Sequence, residues 1–219
     1  MIFAIYKPKG PTSNFIVQKI KKITGIKKVG HAGTLDPLAK GVLVIGVGRA
    51  STKKLSQVVA KEKEYLATIK LGLKSTTDDE EGIKEKITVL ERPNKKDIQK
   101  VIKKFEGEIL QVPPIYSAIK IKGKEAYKLA RKGQEVQLKP RKVKVKKITL
   151  QDYKWPYFKI RVVTGPGVYI RSLARDIGQN LKTGGYLSNL ERTRVGKFNR
   201  DNALNFTQVK KLASRVKGV

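Results

Sequence analysis

The stretch Gly30-His31-Ala32-Gly33-Thr34-Leu35-Asp36-Pro37-Leu38-Ala39-Lys40-Gly41 restricts the folding of this chain more than any other. Its glycines keep the backbone permissive and let another segment approach closely. Pro37 biases Asp36 toward extended backbone. It also has no N–H with which to continue a sheet ladder. Val42-Leu43-Val44-Ile45, which follow, are strong strand formers. The expectation is a rigid loop over residues 30–41 that presents one carboxylate and is anchored on a buried strand. Such a carboxylate is either a capping group or a reactive group, and the rest of the chain decides which.

The charge balance narrows the choice. Lys plus Arg number 49 against 18 Asp plus Glu, a net charge of +31 over 219 residues. A surface of that sign attracts polyanions, and nucleic acid is the commonest. A lysine-rich surface inherited from genome composition accounts for part of the excess, and anionic lipid is a second polyanion. No apolar run approaches the roughly 18 residues of a membrane span, and residues 1–6 lack the charged start and apolar core of a signal peptide. A cytoplasmic monomer is expected. Cysteine is absent and His31 is the only histidine. That excludes disulfides, thiolate zinc sites and cysteine nucleophiles. It also excludes the zinc-dependent base deaminases. Neither a P-loop nor a dinucleotide fingerprint is present, so a nucleotide cofactor has no sequence support.

The hydrophobic pattern is mixed. Residues 2–6, 42–47, 63–71, 141–150, 157–164 and 186–194 read as strands. Thr12-Ser13 offers an N-cap to a helix carrying Ile16, Val17, Ile20 and Ile23, with Gly25 as its stop. Ser51-Thr52 is placed to cap a second helix. Pro93-Asn94 opens the clearest one, with Ile98, Val101, Ile102 and Phe105 at helical spacing and Gly107 beyond them. Residues 123–133, 170–181 and 207–217 suit further helices, and residues 75–82 read as an exposed acidic loop. This order predicts an α+β fold with a large, mixed but mostly antiparallel sheet flanked by helices. The whole chain, 1–219, is expected to be one catalytic domain.

Six blocks, in order along the chain, carry a resemblance. They are Lys7-Pro8-Lys9-Gly10-Pro11-Thr12-Ser13; His31-Ala32-Gly33-Thr34-Leu35-Asp36-Pro37-Leu38-Ala39; Lys63-Glu64-Tyr65 with Leu71-Gly72; Pro113-Pro114-Ile115-Tyr116-Ser117-Ala118; Tyr169-Ile170-Arg171-Ser172-Leu173; and Leu190-Glu191-Arg192-Thr193-Arg194-Val195-Gly196. With these blocks the chain resembles the TruB family of tRNA pseudouridine synthases. The resemblance implies the pseudouridine-synthase fold and isomerisation of the T-loop uridine at position 55 of tRNA, by base flipping and without cofactor or metal. Asp36 matches the family's nucleophile, a group already ionised at neutral pH. Arg171 matches the arginine that pairs with it through a two-pronged guanidinium. Tyr65 matches the active-site tyrosine, whose ring stacks on uracil and whose hydroxyl suits proton transfer.

Other positions are implied to contact RNA. His31 is placed to fill the space left by the flipped nucleotide, and Leu190 to pack on the base. Tyr169 is expected in the pocket wall. Lys53, with one extra residue allowed before Tyr65, matches a lysine near the RNA backbone, and Asp79 an aspartate near bound RNA. Pro166 and Val168 depart from the family pattern before Tyr169, as do Lys40 and Thr76 elsewhere. After Gly196 there is no room for the small PUA-type RNA-binding domain of many relatives, and the basic residues 120–147 are expected to grip phosphate in its stead. Two alternatives stay open. One is an RNA-binding or tRNA-folding protein in which catalysis is secondary or lost; the other is a synthase with another, guide-dependent, RNA target.

Overall fold

The computed structural model describes residues 1–121 and 123–217. One cation of the basic segment, Lys122, therefore lies outside the described residues. In chain order the first elements are β1 (Ile2–Lys7), α1 (Ser13–Thr24), β2 (Val29–Ala32), β3 (Ala39–Val47), α2 (Arg49–Lys53), α3 (Leu55–Val59) and β4 (Lys63–Leu71). β5 (Leu73–Ser75), β6 (Lys84–Lys86), α4 (Lys95–Lys103), β7 (Gly107–Gln111), β8 (Lys120–Ile121), β9 (Lys124–Glu125) and α5 (Ala126–Ala130) follow. The remainder are β10 (Arg141–Lys154), β11 (Tyr157–Thr164), α6 (Ile170–Asn180), β12 (Gly185–Val195), β13 (Phe198–Asn199), β14 (Ala203–Leu204) and α7 (Phe206–Lys217). The fold class is the expected α+β, with mixed, mostly antiparallel sheet pairing and helices among the described residues.

Two compact units divide the chain. Met1–Leu66 and Leu190–Val219 make the first, and Ala67–Asn189 makes the second. In the first unit β3 is the central strand. β1 runs antiparallel to it from Ile2 opposite Gly46 to Lys7 opposite Gly41. On the other edge β2 pairs antiparallel over Val29–Ala32, and β12 pairs parallel with Leu190 opposite Ala39 and Arg192 opposite Gly41. Every β3 residue except Lys40 is buried, which is why its sequence is a continuous apolar run rather than an alternation. Ala4, Ala32, Val42, Val44, Leu55 and Val195 form one apolar cluster here.

The stretch expected to be one loop is shorter than that. Residues 29–32 pair on β3, and β3 itself begins at Ala39, which leaves residues 33–38 as the loop. The early glycine serves packing: Gly30 lies opposite Gly46, and a methyl group at either would stand 3.1–3.3 Å from the Leu55 side chain. The second helix also differs. It starts at Arg49, behind Gly48 at φ 89°, and breaks at Lys54 into α2 and α3. Around α1 the reading holds. The Thr12 hydroxyl accepts from the Phe15 amide at 3.0 Å, and Gly25 ends the helix in the left-handed region.

In the second unit β10 pairs antiparallel with β11 on one side and β7 on the other. α4 is closed at its start by a reciprocal cap: Asn94 accepts from the Lys96 and Asp97 amides, and Asp97 accepts from the Asn94 amide at 2.8 Å. Ile98, Val101 and Ile102 are the buried face of α4, which packs on β10 and α6. The helix ends before the expected Gly107, which instead opens β7 at φ 96°.

Candidate active site

The Asp36 loop is held at consecutive residues, all within the first unit. The Ser13 hydroxyl, at the start of α1, donates to the Leu35 carbonyl at 2.8 Å and accepts from the Leu35 amide at 2.9 Å. The Ala39 amide donates to the Asp36 carbonyl at 3.0 Å, closing a turn with proline in its second position. The Gly10 amide donates to the Pro37 carbonyl at 2.8 Å, and Lys7 Nζ donates to the Ala39 carbonyl at 2.7 Å. Residues 7–13 thus grip the loop from below, and Asp36 itself remains partly exposed.

Buried cations surround that loop. Arg192 is 1% exposed; its Nε donates to the Val42 carbonyl at 2.8 Å and its Nη2 to the Gly33 carbonyl at 2.9 Å. The Tyr65 side chain lies against the same guanidinium. Burial pulls its pKa below the ordinary guanidinium value, and Tyr65 and Asp36 pull it back. Gly41 makes this packing possible. It sits at φ 116° between Lys7 and Arg192, and a methyl group there would stand 2.2 Å from the Arg192 carbonyl oxygen. Burial brings Lys7 down to about 8, with Asp36 opposing the shift and Arg192 adding to it. Lys63 is brought to about 8 by burial and then by Arg192; its Nζ donates to the Val59 and Lys61 carbonyls at the end of α3.

The other expected residues of the first unit divide. Tyr65 on β4 and Leu190 on β12 are each 7% exposed. His31 on β2 has its pKa lowered by burial and then by Arg192, so its ring is neutral at pH 7. Its buried Nδ1 has no hydrogen-bond partner among the described residues. Lys53 stands exposed at the end of α2.

In the second unit Arg171, 7% exposed, is the second residue of α6. Its Nη1 meets an Asp79 carboxylate oxygen at 3.4 Å, and its Nη2 donates to the Tyr116 carbonyl at 2.8 Å. Asp79 is 2% exposed, and its other oxygen accepts from the Thr77 hydroxyl and the Glu81 amide. Asp79 is thus a ligand of Arg171. Tyr169, partly exposed, is the N-cap of α6 and offers no side-chain cap of its own. Gln111, 1% exposed at the end of β7, fixes the Tyr169 backbone itself: its amide oxygen accepts from the Tyr169 N–H at 2.8 Å, and its nitrogen donates to the Tyr169 carbonyl at 3.1 Å. Beside it Arg175 pairs with Asp78 at 2.8 Å and Asp176 at 2.9 Å. Burial nevertheless holds both carboxyls above their ordinary value.

The family model described as TruB family pseudouridylate synthase (N terminal domain) matches residues 21–170. The chain belongs to the TruB family. These synthases are isomerases. A second TruB model, the tRNA pseudouridylate synthase B C-terminal domain, matches residues 171–217. A tRNA pseudouridine synthase B of Clostridium tetani is 44% identical over 208 residues, 95% of this chain and 72% of that protein. One of Clostridium kluyveri is 46% identical over 200 residues, 90% of this chain and 68% of that protein. Among solved structures, a chain of a Cbf5-Nop10-Gar1 complex superposes with a TM-score of 0.74 at 30% identity, over 100% of this chain and 56% of that one. An H/ACA RNP bound to a substrate RNA containing 2'-deoxyuridine gives 0.71 at 28% identity, over 100% and 55%. This TruB-family chain therefore spans just over half the length of those two solved chains.

Four residues had no role at the site assigned from sequence, Ser13 having been read only as part of a helix cap: Lys7, Ser13, Gln111 and Arg192. Lys7, Ser13 and Arg192 stand inside the TruB-like blocks, which was the available signal. Gln111 stands two residues before Pro113-Pro114, just outside one.

Proposed function

We propose that this chain is a tRNA pseudouridine synthase acting on the T-loop uridine at position 55, with Asp36 as its nucleophile. The observation that carries the reading is the grip on residues 35–39 beside Tyr65 and a buried guanidinium. A carboxylate on so constrained a loop is pre-set for reaction, since positioning is a large share of enzymatic rate. In the reaction the N1–C1′ bond breaks and a C5–C1′ bond forms. One proton leaves C5 and one is taken up at N1. No oxidant, cofactor or metal is required. Asp36 acts on the ribose or on the base, and Tyr65 stacks on uracil with its hydroxyl available for proton transfer.

Reaching the base means extruding it from a folded loop, at a cost of a few kcal/mol. A neutral His31 ring suits stacking in the vacated space and offsets part of that cost. Leu190 supplies an apolar wall, and Tyr169 is assigned a second one. Asp79 orders Arg171, and the assignment of Arg171 as the counter-charge of the nucleophile rests on its sequence block. Lys53 and the basic residues 120–147 are assigned to phosphate, which fixes register rather than chemistry.

The test is a T-arm stem-loop incubated with the protein, with pseudouridine mapped by chemical modification and primer extension. Wild type should convert one uridine. Asp36→Asn should give no product while binding the same RNA nearly as well. RNA binding without product from wild type would favour the RNA-folding alternative. Wild-type turnover in Asp36→Asn would remove the nucleophile assignment.

A further inference from the structure

We infer that Arg192 is a positioning residue that sets the Tyr65 hydroxyl and the Asp36 loop in a single frame. The inference rests on the proposed reaction for its kinetic consequence and on the first unit alone for its geometry. An arginine buried to 1% exposure is costly unless its donors are satisfied. The strand does not call for a cation here, because the facing residue is Gly41. The guanidinium instead holds the carbonyls of Gly33 and Val42, on either side of the Asp36 loop, and it lies against the Tyr65 side chain. One planar, rigid group therefore joins both sides of the loop to the phenol. A lysine, a single point donor on a flexible stem, cannot serve all three at once. Gly33 at φ 76° leaves room for it, since a methyl group there would stand 3.3 Å from Nη1.

The charges facing the guanidinium fit the same role. Asp36 attracts it, whereas Lys7, Lys63 and His31 are the titratable groups whose protonation it opposes. Lys7 is also drawn to Asp36. The carboxylate thus stands among cations that the fold has already buried.

The experiment combines turnover on a T-arm stem-loop with resonances of labelled Tyr and Arg side chains. Arg192→Lys should lower kcat by about 10²-fold with KM and RNA affinity within about twofold. Combined with Tyr65→Phe, its effect should be much smaller than the product of the two single losses, because both changes break one relationship. Multiplicative losses, or a kcat unchanged by Arg192→Lys, overturn the inference. Two resonance readings do not need activity. Arg192→Lys should move the Tyr65 ring signal, and Tyr65→Phe, which leaves every buried charge in place, should move the Arg192 guanidinium signal. If the Tyr65→Phe signal stays put, the inference fails whether or not Arg192→Lys folds. A wild type with no turnover but both shifts present would remove the proposed reaction and leave the positioning intact.

Discussion

Ser13 holds both backbone polar groups of Leu35, donating to the carbonyl and accepting from the amide through one hydroxyl. Ser13 is 2% exposed and Leu35 3%, so neither group has water to fall back on. Ser13→Ala should cost about 1–3 kcal/mol for each group left unpaired. Because Leu35 precedes Asp36, kcat should fall by up to about 10²-fold as the loop loosens. Urea unfolding and stem-loop turnover check the two parts separately; retained stability with full turnover would contradict both.

Gln111 makes the same two-sided contact with Tyr169. Gln111→Leu should destabilise by about 1–3 kcal/mol, chiefly by taking the acceptor from the Tyr169 N–H, since the Tyr169 carbonyl keeps the Leu173 amide at 3.1 Å. Gln111→Glu is the sharper test. Its carboxylate still accepts from the Tyr169 amide but has no hydrogen to give the Tyr169 carbonyl. Protonation restores that donor, so this variant should recover part of its lost stability between pH 7 and pH 5, relative to wild type. Thermal melts at the two pH values decide it.

Gly41 and Gly48 share a positive φ but not an environment. Nothing stands within 4 Å of a methyl group at Gly48, whereas one at Gly41 meets the Arg192 backbone. Gly48→Ala should cost about 1–3 kcal/mol, the backbone strain alone. Gly41→Ala should exceed that, reaching about 4 kcal/mol or more. Equal costs by denaturant titration would mean that the β3–β12 contact gives way easily.

Lys7 gives a pH dependence. In the folded chain it releases its proton at about 8, and in the unfolded chain at about 10.4. Between those values the unfolded chain binds more protons, so stability rises with pH. Below about 8 both states are charged, and the cost of burial is constant. The unfolding free energy of wild type, measured relative to Lys7→Met, should therefore increase from pH 8 to pH 10. A flat difference would show that Lys7 keeps its ordinary value.

Local signals read well from sequence. β4 alternates cleanly at Lys63–Leu71, and Asn94 with Asp97 three residues on is a cap visible in one dimension. The short strands β2 and β7 have no alternation long enough to register, and only their partners on β3 and β10 define them. Asp36 was legible because proline and glycine mark its loop. Arg192 was one of 49 cations, and two of its hydrogen-bond partners lie 150 and 159 positions away in the chain. Gln111 reaches across 58 positions to Tyr169. Burial of a polar residue by distant partners leaves no periodicity behind, so such residues look like ordinary surface.

The first unit is built from both arms of the chain, Met1–Leu66 and Leu190–Val219. On the ribosome, the segment bearing the carboxylate emerges long before the strand that brings its guanidinium. During that interval Ala39–Gly41 of β3 lack their β12 partner, and the loop lacks one of its main fasteners. A nascent chain should therefore be catalytically silent until β12 and its Arg192 have left the ribosome, which guards against an unfinished site modifying RNA out of turn.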